Sequence, residues 1–147
     1  MSTIDVENIE IQTITDEGAV NLSELLKEGP VVLNFIIGTW CPTCNAFIQN
    51  LLNVANEKKI SNIYIVSTQS QKALKHFFCK GETVVPFGVL SDHTKSLINA
   101  FHLKIPVFGF ARPASILLFP NGSYNVLSKG LPNDKEIKEV IECKFVA

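Results

Sequence analysis

The sequence predicts an α/β protein in which a mixed central sheet is flanked by helices, and three observations carry that expectation. Val31 to Ile37 is apolar on both faces, as befits a central strand buried between helices. Directly after it, apolar residues fall at 44, 47, 48, 51, 52 and 55, which describes one face of a helix. A second strand-like and helix-like pair follows, giving a β-α-β-α run, and the chain then continues with a hairpin signal and a last helical stretch.

Taken in order, Ile9 and Ile11 alternate with Glu10 and Gln12, which with Ile14 suggests a first extended segment; Asp16-Glu17-Gly18 reads as the turn after it. Residues 21–29 read as a short helix, with Asn21 or Ser23 as its cap and Gly29 as its stop. Val31 to Ile37 is the next strand, and a helix begins at Cys41 or Pro42. Ile60 to Ser67 is strand-like, and Ser70 to Cys79 is helical, with Leu74, Phe77 and Phe78 on one side. Pro86 to Leu90 is expected as a strand, and Ser91-Asp92 as the start of a helix over His93 to Phe101. Ala114 to Phe119 and Tyr124 to Ser128 flank the turn signal Pro120-Asn121-Gly122 as a hairpin. Asp134 to Cys143 closes the chain as a helix with Ile137, Val140 and Ile141 inward.

A chain of 147 residues, 46% hydrophobic and with ten Phe, is expected to form one domain, residues 1–147, around a continuous core. Thirteen basic and fourteen acidic residues leave a net charge of −1, so no field recruits nucleic acid or an anionic membrane. No secretory signal is visible at the N-terminus, and the longest apolar run is too short to span a bilayer. The expected compartment is therefore the cytoplasm, or an extracytoplasmic one if the sequence has been trimmed. In a reducing compartment a C-x-x-C pair points to catalysis or metal binding rather than a structural staple.

Trp40-Cys41-Pro42-Thr43-Cys44 is that pair, placed where the apolar strand gives way to a helix. A helix starting here aims its unpaired amides and positive dipole end at the first sulfur and favours its thiolate. Pro42 suits the first helical position, where a missing N–H costs nothing. Cys41 is then the exposed nucleophile, and Cys44, one turn in on the apolar face, the resolving thiol. Two rival readings are inert structural cysteines and a zinc site completed by Cys79, Cys143, His76, His93 or His102. No second C-x-x-C or H-x3-5-H accompanies the pair to support zinc. No cofactor is expected.

The stretch Phe35-Ile-Ile-Gly-Thr-Trp-Cys-Pro-Thr-Cys44 resembles the active site of the thioredoxin-fold redoxins, among them the alkyl hydroperoxide reductase/thiol-specific antioxidant, or peroxiredoxin-like, superfamily. Gly29 to Phe35, Val66 to Leu74, Ser91-Asp92 and Arg112 to Gly122 resemble the same proteins, in the same order. The resemblance implies a thioredoxin-like three-layer α/β/α fold with a mixed central sheet and a redoxin-type N-terminal extension. It also implies that Pro113 is the cis-proline facing the cysteine pair, with Thr39, Trp40, Pro42, Thr43 and Arg112 as supporting residues.

Two chemistries divide that superfamily. The peroxidase motif resembles P-x-x-x-T-x-x-C, whereas here Thr39 lies two residues before Cys41, the proline is absent, and Pro113 stands where the family's strand arginine falls. The first expectation is therefore thiol-disulfide exchange through a Cys41/Cys44 couple. Its substrates would be protein or small-molecule disulfides and thiols, and a thioredoxin-type system is a candidate reductant. The alternative is a thiol-dependent peroxidase acting on peroxides at Cys41, with Cys44 or Cys79 resolving, since Lys75-His-Phe-Phe-Cys79 resembles a helix that supplies a resolving cysteine in some thiol peroxidases. For Cys79 the favoured expectation is a core position beside Phe77 and Phe78. Cys143 is expected to be structural. Arg112 is a candidate for holding Cys41 ionised, and Ile105, Val107, Phe108 and Phe110 are candidates for a docking surface or a core cap. A redox-inactive or zinc-binding module of the same fold is the remaining alternative.

Overall fold

The structure is a computed structural model, and it describes residues 2–15, 18–55, 62–79, 85, 87–105 and 111–130. Its strands are β1 (Glu10–Thr13), β2 (Ala19–Asn21), β3 (Val31–Phe35), β4 (Ile63–Ser67), β5 (Gly88–Ser91), β6 (Ala114–Leu118) and β7 (Tyr124–Ser128). Its helices are α1 (Leu22–Leu25), α2 (Pro42–Ala55), α3 (Gln71–Phe78) and α4 (Ser96–Ala100). One mixed sheet of seven strands runs in the order β2-β1-β5-β4-β3-β6-β7. β3, β4 and β5 are parallel neighbours, while β6 runs antiparallel to β3 and β1 antiparallel to β5.

The two faces of β3 explain the layers. All five of its residues are buried, because alternate side chains enter separate cores. Val32 and the following Ile36 pack with Ile63, Ile65 and Val89 beneath α2 (Cys44, Phe47, Ile48, Leu51) and α3 (Leu74, Phe78). Leu33 and Phe35 pack with Val66, Leu90, Ile116 and Leu118 against α1 and α4, through Leu22, Leu97 and Ile98. This is the three-layer α/β/α arrangement. Asn34 is the polar exception in β3, and it is satisfied: Ser115 Oγ donates to its Oδ1 at 2.6 Å and its Nδ2 donates to the Tyr64 carbonyl at 3.2 Å.

The structure adds one strand and trims others. β2 pairs antiparallel with β1, and three residues were too few for a period-2 signal. Asn21, not Ser23, caps α1, accepting from the Ser23 amide at 3.0 Å. α4 begins at Ser96 rather than His93, because a turn bonded from Lys95 N–H to Asp92 O, with Lys95 left-handed, comes first. At the β6–β7 turn Gly122 has φ +89°, and a side chain there would collide with the Ile4 carbonyl, so only glycine fits. Among the described residues no helix is long and apolar enough to cross a membrane. The expected helix over residues 134–143, with Cys143, lies outside the described residues, as do Val107, Phe108, Phe110 and Pro86.

Candidate active site

The parallel strands β3, β4 and β5 end on one edge of the sheet, and the cysteine turn sits there. From β3 the chain passes through Ile36 and Ile37, then turns tightly, Cys41 N–H donating to the Gly38 carbonyl at 3.2 Å. The first bond of α2 runs from Asn45 N–H to the Cys41 carbonyl at 2.9 Å, so Cys41 occupies the capping position and Pro42 the first helical one. Among the described residues, Cys41, Cys44 and Cys79 form no disulfide.

The two thiols of the pair have opposite electrostatics. The Cys41 thiol is held below the ordinary cysteine range, chiefly because the Cys44 amide donates to its sulfur; the Cys44 thiol and the Thr43 amide and hydroxyl act in the same direction, against a smaller penalty from burial. Cys44 is fully buried on the sheet face of α2. Burial pushes its thiol up, although the amides of Gly38 and Ile37 face its sulfur, Ile37 N–H at 3.3 Å. A thiolate is thus favoured at the half-buried Cys41 and a protonated thiol beneath it.

The residues before the pair are tied down from three elements. Thr39 N–H donates to Gln69 Oε1 at 2.8 Å, and Gln69 Nε2 donates back to Thr39 Oγ1 at 2.9 Å. Asn45 of α2 donates through Nδ2 to the carbonyl oxygens of Thr39 and Cys41. Gln69 is itself anchored: its Oε1 accepts from Ser67 Oγ at 3.0 Å, and its carbonyl accepts from Ser91 Oγ at 2.6 Å. Gln69 and Asn45 were missed in the sequence. The available signal was positional, an amide side chain two residues beyond the carboxyl end of β4 and another one turn into α2.

Trp40 is 58% exposed and its indole lies over Gly38, where a methyl group would collide with the ring. Thr39, Trp40 and Gln69 form one wall of an open groove of about 920 Å³, whose other wall is α3 with Lys72, Lys75 and His76.

Two expectations are corrected here. The Arg112–Pro113 peptide is trans, since the described residues contain no cis bond. Pro113 enters β6 just before the Phe35–Ala114 pair, where an extended chain accepts its fixed φ and missing N–H, so nothing opposes the preferred isomer. Cys79 is exposed rather than in the core. Leu74 and Phe78 define the buried side of α3, and Cys79, one residue further round at the helix end, opens into the same groove as Trp40. Arg112 is exposed, and the groups that lower the Cys41 thiol belong to its own turn. Among the described residues, no three His, Cys, Asp or Glu side chains are grouped to hold a metal.

Residues 5–124 match the model of the AhpC/TSA family. Solved structures share the fold over nearly the whole chain. Reduced Prx3 from Vibrio vulnificus superposes with a TM-score of 0.74 at 19% identity, covering 97% of this chain and 98% of that one. The peroxidoxin BcpB of Mycobacterium tuberculosis gives 0.73 at 21% identity, over 96% and 94%. Plasmodium yoelii thioredoxin peroxidase I gives 0.74 at 17% identity, over 95% and 86%. No curated protein matches the chain.

Proposed function

The chain belongs to the AhpC/TSA family of peroxiredoxin-like oxidoreductases, and on that premise we propose that it is a thiol-dependent peroxidase working through Cys41 and Cys44. The observation that carries this reading is the pair's opposed electrostatics, a favoured thiolate at the turn and a buried thiol donating to it. It suits both halves of the reaction. The Cys41 thiolate attacks one peroxide oxygen, the O–O bond breaks, and the departing alkoxide or hydroxide takes a proton to leave as alcohol or water. Cys41 is now a sulfenic acid. Cys44, as thiolate, attacks that sulfur; the S–S bond forms and the hydroxyl leaves with a proton as water. A dithiol reductant then returns two electrons and two protons by exchange and is itself oxidised to a disulfide. Thioredoxin-type proteins fit that role by their chemistry.

This order reverses the emphasis drawn from the sequence, because the family and the named functions of the structural neighbours favour peroxide chemistry. The exchange reading keeps one specific support. Trp40 presents an exposed indole next to Cys41, and Pro113, at the head of β6, offers no cation, so a protein disulfide could be engaged without a peroxide-orienting arginine. Cys79 is a second candidate for the resolving thiol, since it opens into the groove beside Trp40.

Stopped-flow oxidation separates these readings, with the single Trp, adjacent to Cys41, as the fluorescent reporter. The peroxidase reading expects hydrogen peroxide or an alkyl hydroperoxide to oxidise the reduced protein far faster than a free thiol, and Cys44→Ser to stop at a dimedone-trappable sulfenic acid. A wild-type rate equal to that of a free thiol rejects it and leaves exchange.

A further inference from the structure

We propose that the groove between the Trp40 turn and α3 is a docking surface for a partner protein that presents an acidic segment carrying an apolar side chain. The inference rests on the shape and charge of this face and not on the chemistry read at Cys41, so it stands or falls apart from the peroxidase reading.

The cationic wall follows from the helix period. Leu74 and Phe78 form the buried side of α3, and Lys72, Lys75, His76 and Cys79, spaced i, i+3, i+4 and i+7, are all exposed on a stripe turned away from them. That stripe runs about 10 Å along the helix. Lys72 and Lys75 line the groove, and among the described residues that line it none is Asp or Glu. Neither lysine forms an ion pair with another described residue. The surrounding sequence is one-sided too: residues 58–81 hold five lysines and no Asp or Glu, in a chain with fourteen acidic residues and a net charge of −1. An anion entering here therefore meets two cations whose charge no carboxylate of the described lining offsets.

The opposite wall is aromatic and held in place. Trp40 is the most exposed large apolar side chain among the described residues; its indole lies over Gly38, and the Thr39 N–H just before it is bonded to Gln69. Ile14 and Phe77 add apolar surface to the lining. The occupant that satisfies both walls is amphipathic, with carboxylates for Lys72 and Lys75 and an apolar side chain for Trp40 and Phe77. A buried aromatic anchor ringed by polar groups is how protein interfaces concentrate their affinity, and a wall already held costs less to order on binding. The groove is open along α3, which suits an extended segment of a larger partner, whereas a small ligand would leave much of its surface in water. The seat also adjoins the reactive turn, since Trp40 directly precedes Cys41 and an ordinary protein contact covers about 800 Å² per partner.

Trp40 is the only tryptophan of the chain, so its fluorescence reports occupancy of the groove. The probe is the capped peptide Glu-Glu-Leu-Glu-Phe-Glu, titrated into the protein at low and at raised salt. A saturable change in emission is expected, with an affinity that weakens as salt screens the charges. In Lys72→Glu/Lys75→Glu the affinity is expected to fall roughly tenfold or more, and this variant is expected to bind Lys-Lys-Leu-Lys-Phe-Lys, which wild type does not; that gain shows at the same time that the variant is folded. Lys129→Glu, at an exposed lysine outside the groove, is expected to change the affinity by less than about twofold. Absence of saturation in wild type overturns the proposal, as does an equal loss in Lys129→Glu or a folded double variant that shows no exchange of preference. Hexaglutamate or a single-stranded oligonucleotide binding as tightly as the Leu- and Phe-bearing peptide makes the face a site for any polyanion and overturns it too. Emission that changes with protein concentration before peptide is added gives the groove to a second copy of the chain, and also overturns it. None of these outcomes involves the rate with peroxide, so failure here leaves the peroxidase reading intact, and failure of that reading leaves the groove.

Discussion

Two helices of this protein begin on an ionisable side chain, and the surroundings shift the two in opposite directions. At α2 the half-buried Cys41 sulfur takes the Cys44 amide, and its thiol is lowered. At α4 the carboxylate of Asp92 takes the amides of Leu97 at 3.0 Å and Ile98 at 2.9 Å, with Ser96 also donating, yet its carboxyl is raised because it is fully buried. Both groups meet unpaired helix amides and the positive end of the helix dipole. What differs is the cost of leaving water. For Asp92 desolvation outweighs the amides; for Cys41 it ranks below the first of them. A helix start therefore makes a structural cap when buried and a reactive group when it stays near the surface.

The largest test of this contrast is Cys41→Ser. Serine is a good capping residue, so the variant is expected to fold with stability within about 0.5 kcal/mol of wild type, while losing peroxide reduction by about a thousandfold or more because an alcohol is scarcely ionised. A marked drop in thermal stability would mean that the sulfur holds the turn together, as Asp92 does for α4. Asp92→Asn is the mirror test, with no expected effect on Cys41 reactivity and a loss of about 1 kcal/mol at neutral pH, since the amide's NH₂ opposes a helix N–H. Its pH dependence carries the sign. A carboxyl raised in the folded state binds its proton more tightly there than in the unfolded chain. The stability it contributes is thus present below the unfolded value of 3.8 and lost as pH rises through the folded one. Chemical denaturation should show the gap between wild type and Asp92→Asn widening as pH is lowered from 7 toward 3.5. A gap that narrows would place Asp92 on the same side as Cys41 and dissolve the comparison.

Much of the architecture was legible because burial writes itself into periodicity. The doubly apolar run of β3 and the i, i+3, i+4 face of α2 require a sheet covered by helices, and Pro42 after Cys41 marks where the helix starts. What was not legible depends on contacts between distant segments. Gln69 meets Thr39 across 30 positions and Ser91 across 22, and no local pattern announces such a bond. The cysteine at 79 was misjudged because its apolar neighbours are informative only if the helix continues, and α3 ends at Phe78. Pro113 took the ordinary isomer because it begins a regular strand pairing rather than a bend.

The smallest expected effect is the most discriminating, because it separates the two things Cys44 supplies to Cys41. Its amide is the largest cause of the lowered thiol, and its own thiol a lesser one, ranked after the opposing penalty of burial. Cys44→Ala removes the thiol and leaves the amide in the first turn of α2. If helix amides make Cys41 acidic, the pH profile of iodoacetamide alkylation, followed at Cys41 by peptide mapping so that the exposed Cys79 does not contribute, should shift upward only part of the way. Cys41 should still ionise below an ordinary cysteine. A complete return to ordinary behaviour would mean that the neighbouring thiol, not the helix start, favours the thiolate; the resemblance between the α2 and α4 caps would then be one of shape without shared electrostatics.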